Sequence, residues 1–330
     1  MQQTGPLAAR GVRCRAPAKL NLYLHVTGRR DDGYHELDSL FVFVDVCDDI
    51  AVRPAAAFSL EVDGPFADQI PAGADNLVLR AARLLAEFAH GSFVHDSFVH
   101  GRKALGRPGG AAITLTKILP PASGIGGGSA DAAATLRALR MLWGLQVTQD
   151  ELAGIAGRLG ADVPACLASR ALQVSGIGDV MEPVNAAPDV FFLLVNPGTP
   201  LSTPAVFEAY RDRNGAFSRR APIYGPAGQL RDNGARARDL TDALSSRHND
   251  LEQPALDLAP EVGLAMAVLR TLDGCLLARM SGSGATCFAM FETMAAAATG
   301  AAILGERFPS WWIAPARPVP GPFQPCPWQA

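Results

Sequence analysis

The segment that most restricts what this chain can become reads Pro120-Pro121-Ala122-Ser123-Gly124-Ile125-Gly126-Gly127-Gly128-Ser129-Ala130-Asp131. It lies between a strand expected over Ala111–Thr116 and a helix expected over 130–143, whose Ala132, Leu136, Leu139 and Trp143 share one helical face. Four glycines in the five positions 124–128 let the backbone approach a ligand closely and turn several N–H groups inward. The helix behind them adds the partial positive charge of its N-terminus. Together these features predict a phosphate cradle, with Ser129 placed to bond a phosphate oxygen or a Mg²⁺ ion carried by the phosphates.

Two common nucleotide sites are excluded. The chain has no Gly-Lys dipeptide, so the lysine of a P-loop is missing. The dinucleotide fingerprint needs Gly-x-Gly-x-x-Gly after a strand and an acidic ribose partner about 20 residues on, and neither is present.

Elsewhere the chain reads as an ordinary globular enzyme. Its 330 residues suffice for two domains, and 29 basic against 32 acidic residues give a net charge of −3, with no basic stripe for nucleic acid or membrane. Stretches as apolar as a membrane span are absent, and arginines interrupt the N-terminal apolar run, so the expectation is a cytoplasmic protein. The six cysteines are scattered without a CxxC pair, which predicts reduced, mostly buried thiols. Only Lys19, Lys103 and Lys117 among the 29 basic residues are lysines.

Residues 16–26 alternate, with Leu20, Leu22, Leu24 and Val26 facing one way and Lys19, Asn21, Tyr23 and His25 the other, which predicts a half-buried strand with a polar working face. A second strand is expected over 37–46. Asp75 is a candidate cap for a helix over 76–89, and Thr148-Gln149-Asp150-Glu151 is a capping box for a helix ending near Gly160. A second unit is expected from about 171: strands at 171–174, 190–196 and 287–291, helices opened by Thr203-Pro204 and near 261–272 and 293–306, and an irregular stretch 211–248. The tail from Pro315 carries six prolines in 16 residues and is expected to be extended and weakly ordered. Ser-Phe-Val-His occurs at 92–95 and again at 97–100, placing His90, His95 and His100 five apart. Five residues turn a helix by about 140°, so these side chains do not converge on an ion, and the segment reads as a duplicated loop insertion.

The glycine loop resembles the central motif of the GHMP kinases. Ala16-Pro17-Ala18-Lys19-Leu20-Asn21-Leu22 and Ser281-Gly282-Ser283-Gly284-Ala285-Thr286 are similar to the outer motifs of that superfamily. Gly33-Tyr34-His35, Asp75-Asn76-Leu77, Gly160-Ala161-Asp162-Val163-Pro164 and Asn249-Asp250-Leu251-Glu252 resemble the members whose acceptor is a cytidylyl-linked methylerythritol. The likeness runs from about 13 to 314. It departs in the histidine-rich insertion, the 211–248 stretch, the tail, and at Ile125, where leucine is more usual.

The resemblance implies a two-domain α/β (α+β) GHMP kinase fold. A ribosomal-protein-like N-terminal domain over 1–170 would carry the phosphate loop, and a ferredoxin-like α+β domain over 171–330 would complete the site. It further implies ATP with Mg²⁺ as co-substrate, and phosphoryl transfer to the acceptor's 2-hydroxyl on the way to isoprenoid precursors. Asp162 would be the catalytic carboxylate and Lys19 the catalytic lysine. Asn76, Lys117, Pro120, Gly124, Gly126, Gly127, Gly128, Ser129 and Ala130 would serve ATP. Asn21, Tyr34, His35, Ile177, Thr203 and Phe207 would serve the acceptor, with Tyr34, His35 and Phe207 around its cytosine; aromatic stacking on a base gives about 1–3 kcal/mol per base. Metal ligands beyond Ser129 are left open. The partners expected are small molecules only, with the chain a monomer or weak homodimer. A kinase for another small alcohol, such as homoserine or mevalonate, and a non-catalytic nucleotide sensor are the alternatives.

Overall fold

The computed structural model describes residues 11–96, 109–184, 190–213, 215–223, 230 and 236–328, with the side chains of 92–96 left aside. Most of the histidine-rich insertion and parts of the 211–248 stretch lie outside the described residues.

Two very long strands, β1 (Gly11–Arg29) and β2 (His35–Pro54), pair antiparallel and form the spine of the first sheet. Three register shifts, between Pro17 and Ala18, Asn21 and Tyr23, and Val26 and Gly28, bend the ribbon. The half-buried strand expected at 16–26 is in fact buried on both faces: Lys19, Asn21, Tyr23 and His25 are each no more than 5% exposed. One reason is helix α2 (Gly127–Leu142), whose small Ala130, Ala132, Ala133, Ala134 and Ala138 are all buried. Side chains this small let the helix lie close.

The strand β3 (Ser59–Asp63) pairs parallel to β4 (Ala111–Thr116), which pairs antiparallel to the 49–54 half of β2. Helices α1 (Leu77–Asp96), α3 (Gln149–Gly157) and α4 (Val163–Ala168) complete this layer. The capping box at Thr148 and Glu151 is present. At α1 the side chain that accepts from the helix backbone is not Asp75 but Asn76, whose Oδ1 takes the Val78 N–H at 2.9 Å.

The expected division at 170/171 is not where the sheets divide. Strands β5 (Leu172–Gly176) and β6 (Val180–Pro183) belong to the first sheet, because the 37–41 half of β2 is left uncovered by β4 and pairs with β5.

The second sheet is wholly antiparallel, in the order β10 (Trp312–Ala316), β7 (Phe191–Asn196), β9 (Cys287–Phe291), β8 (Leu277–Met280). In chain order this is fourth, first, third, second. Helices α5 (Thr203–Asp212), α6 (Ala237–Ser245), α7 (Glu252–Leu258) and α8 (Pro260–Arg270) separate β7 from β8, and α9 (Met294–Arg307) separates β9 from β10. That is the ferredoxin-like arrangement. Helix α6 falls inside the stretch expected to be irregular. The tail is also more regular than its prolines suggested: Val319 N–H donates to Phe43 O, and β11 (Cys326–Trp328) adds to the edge of β1. Proline suits an edge strand because half of its backbone groups need no ladder partner.

One core cluster joins the two sheets, with Leu20, Leu22, Val42 and Leu119 from the first domain against Phe192, Leu240 and Phe288 from the second. Among the described residues no helix is long and apolar enough to cross a membrane. Cys14, Cys47, Cys166 and Cys287 are buried free thiols, Cys275 is half-buried and Cys326 is exposed.

Candidate active site

Gly124 and Gly126 take the left-handed backbone at φ +75° and +66°, and Gly126 is the residue from which α2 starts. A Cβ at Gly124 would stand 2.3 Å from the Ser281 carbonyl oxygen, so the first glycine loop and the 281–286 turn are in direct backbone contact. Hydrogen bonds lock them together. Ser281 Oγ donates to Gly124 O at 3.0 Å and accepts from Asn21 N–H at 3.1 Å, while Thr286 N–H donates to Ser123 O at 3.0 Å. Asn249 Nδ2 holds the carbonyls of Met280 and Gly282, at 2.9 and 2.7 Å.

Strand β1 passes under this junction, and Lys19 N–H donates to Ile125 O at 2.9 Å. The Lys19 ammonium lies 3.2 Å from Asp162 Oδ2, 3.0 Å from Asn21 Oδ1, and 4.2 Å from the centre of the Phe41 ring. Asn21 is fixed in turn by its Nδ2 bond to Ser39 Oγ at 2.9 Å. The Lys19 side chain is 6% exposed, whereas that of Asp162 is 37% exposed. Although Asp162 occupies the N-cap position of α4, its side chain makes no cap bond there. The lysine is therefore held behind the carboxylate, and the carboxylate faces an open cleft.

That cleft, of about 970 Å³, runs between the domains. Lys19, Asn21, Asp162 and Ser129 line it together with Pro120, Gly124 and Gly126 through Gly128. Tyr34, His35, Ile177, Thr203 and Phe207 line it as well. The His35 and Phe207 rings stack with centroids 4.9 Å apart and 22° between planes, and Tyr34 is 64% exposed. His35 Nε2 is buried without a hydrogen-bond partner among the described residues. Burial, then the charges of Arg29 and Arg211, pull the His35 imidazole below its ordinary range.

Comparison with known proteins shows the family. The family described as GHMP kinases N terminal domain matches residues 76–170, and GHMP kinases C terminal matches 230–310. The 4-diphosphocytidyl-2-C-methyl-D-erythritol kinase of Paramagnetospirillum magneticum is 49% identical over 92% of this chain and 96% of its own. That of Cereibacter sphaeroides is 48% identical over 92% and 97%. The chain belongs to the 4-diphosphocytidyl-2-C-methyl-D-erythritol kinase family. A crystal structure of 4-(cytidine 5'-diphospho)-2C-methyl-D-erythritol kinase has a TM-score of 0.69 at 33% identity, covering 92% of this chain and 99% of that one. A homoserine kinase from Cytophaga hutchinsonii, at 16% identity and TM-score 0.67, shares the fold.

Within this member of the family, three of the expected ATP residues do not line the cleft. Ala130 is buried in the first turn of α2. Asn76 spends its carboxamide on Val78 N–H and on the Pro71 carbonyl, 2.8 Å away. Lys117, expected beside the nucleotide, is turned under the loop, where two carboxylates outcompete the cleft for its ammonium. Conversely, the cleft includes Arg29 and Arg211, to which no role had been given, and Gly282 and Ser283 of the second glycine-rich turn, which the resemblance placed at the floor of the site. Ser283 Oγ and Thr203 Oγ1 are 2.7 Å apart and link the turn to α5. The second glycine-rich motif was the available signal for Ser283; nothing in the sequence pattern marked Arg211.

Proposed function

We propose that the protein transfers the γ-phosphoryl group of ATP to the 2-hydroxyl of 4-diphosphocytidyl-2-C-methyl-D-erythritol, releasing the 2-phosphate and ADP. The observation that carries this reading is the Lys19–Asp162 contact at 3.2 Å in the same cleft as the glycine loop and the His35–Phe207 aromatics.

In this reading Asp162 accepts the proton of the 2-hydroxyl as its oxygen bonds to the γ-phosphorus and the bond to ADP breaks. Lys19 orients that carboxylate and offers its ammonium to the reacting oxygens, while Asn21 and Phe41 keep the lysine in place. Gly124, Gly126, Gly127, Gly128 and Ser129 present N–H groups and a hydroxyl to the phosphates, beside the Pro120 backbone, with Ala130 and the start of α2 behind them. Asn76 shapes the turn before α1 at the adenine side. Tyr34 and Phe207 take the cytosine between them, with the partnerless His35 Nε2 as its hydrogen-bonding group. Phe207 must move off His35 for this, while Thr203 and the backbone at Ile177 hold the rest of the acceptor.

Mg²⁺ bound to ATP would supply neutralisation of the phosphate charge. No group of three or more His, Cys, Asp or Glu able to hold an ion occurs among the described residues, which suits a metal carried by the nucleotide with Ser129 at hand. We further read the protein as a cytoplasmic monomer or weak homodimer acting on small molecules.

The test is ADP release with Mg-ATP and, in separate reactions, the cytidylyl acceptor, homoserine and mevalonate, with the product read by ³¹P NMR. Turnover of the first alone, giving the 2-phosphate, is expected. Turnover of another alcohol would discard the cytosine pocket, and silence with all three would discard catalysis.

A further inference from the structure

Beneath the phosphate loop lies an ion cluster for which the reaction as derived has no use. Lys117 follows β4, its side chain is 2% exposed, and its ammonium sits 2.6 Å from Asp48 Oδ2 and 2.7 Å from Asp131 Oδ2. Asp48 stands in β2, and its other oxygen accepts the N–H groups of Ile118 and Leu119 at 2.6 and 2.8 Å. Those two residues lead directly into Pro120 and the loop. Asp131 stands in α2 just past its first turn, two residues beyond Ser129. A Cβ at Gly127 would lie 3.1 Å from Lys117 Nζ, so the ammonium touches the loop from behind. One cation thus joins the sheet, the strand-to-loop junction and the start of the helix whose N-terminus faces the cleft.

The residue type fits the task. Burial alone would lower the Lys117 pKa, but Asp131 and Asp48 outweigh it and hold the ammonium above its ordinary range. A compact ammonium with three donors can sit between two carboxylates in a space that a planar guanidinium would not fit. Lysine stands here in a chain that otherwise uses arginine almost throughout.

We propose that Lys117, Asp48 and Asp131 are positioning residues for ATP: without touching the nucleotide, they fix the loop N–H groups and the start of α2 in the geometry that receives its phosphates. The proposal rests on the kinase reading of the loop. Displacing binding groups by about an ångström can cost as much as ~10²-fold in an enzyme's function, so the effect should be measurable.

The experiment is titration of ATP without acceptor, alongside KM for the cytidylyl acceptor. Asp131→Ala should weaken ATP binding by about 10-fold or more while shifting the acceptor KM by less than about 2-fold. Asp131→Asn, whose carbonyl can still accept from Lys117, should recover most of the loss. Asp48→Asn, which loosens the hold on Ile118 and Leu119, should shift ATP binding in the same direction as Asp131→Ala and carries the test if that variant does not fold. Folded variants that bind ATP as the wild type does and merely melt earlier would reduce the cluster to a core ion pair and overturn the proposal. Wild-type protein that binds no ATP would instead overturn the kinase reading, a different and separable failure.

Discussion

Asp162 illustrates how one residue can occupy a structural position and still keep its side chain free of it. Its position ahead of Val163-Pro164 is that of a helix cap, yet its carboxylate turns away from the helix to Lys19. Asp162→Asn should therefore leave ATP binding nearly intact and lower kcat by about 10²–10⁴-fold, as measured by steady-state kinetics beside nucleotide titration. His35 makes a second prediction. Because burial and then two arginines hold its imidazole below the ordinary value, it stays neutral through and above that value, near 6.5. KM for the cytidylyl acceptor should be flat with pH above that value and rise only on the acid side. A His35→Gln variant should lose the acid rise; an unchanged profile would remove His35 from recognition of the base. At this scale the sequence made Lys19, Asn21 and Asp162 visible because strand alternation and a motif marked them. Arg211 stayed hidden because a lone arginine late in an amphipathic helix is indistinguishable from a solvated one.

Among the elements, the two glycine turns behave as a single unit. Gly124→Ala would need an alanine in the left-handed region, which costs about 1–2 kcal/mol, with its Cβ 2.3 Å from the Ser281 oxygen. The turns must separate to admit it. The expected outcome is a folded but less stable protein with ATP affinity reduced by at least ~10²-fold, read by calorimetric titration and thermal melting. The glycine loop, its flanking strand and α2 were legible because local chemistry decides them: glycine freedom, a helix start, an apolar face at 3.6-residue spacing. Strand β5 was not assigned to the right sheet, because its partner is a stretch of β2 more than 130 residues earlier, and β6, which pairs with β5, was not expected. Short range pattern carries no information about such a pairing. Helix α6 was masked in the same way by the glycines and arginines around it, and α7 by Pro254, which sits within its first turn.

For the whole molecule, buried polar groups sit beside the apolar contacts that join the domains. His25 is 5% exposed, packs against the rings of Tyr23 and His248, and is pulled below its ordinary pKa chiefly by burial. An unfolded chain binds that proton more readily than the folded one, so the contribution is complete above the unfolded value near 6.5 and is lost as pH falls toward the folded pKa. The melting temperature should accordingly drop on the acid side of neutrality, and a His25→Leu variant should show a shallower drop; equal slopes would place the acid sensitivity elsewhere. The family and its fold class were legible from three ordered motifs, but the course of the tail was not. Proline content argued for an extended, weakly ordered tail, whereas an edge strand with open backbone groups offered it a place to lie.

The lock between Gly124 and Ser281 has one more consequence, for how the enzyme is made. The Gly124 carbonyl and the Asn21 amide both find their partner in a residue 157 and 260 positions later in the chain. A ribosome-bound chain that has not yet released residue 281 holds every residue of the phosphate loop and both Lys19 and Asp162, yet lacks the turn that sets the loop's shape. On the kinase reading such a nascent chain is expected not to spend ATP, and activity is expected to begin only once residues 281–286 have joined the fold.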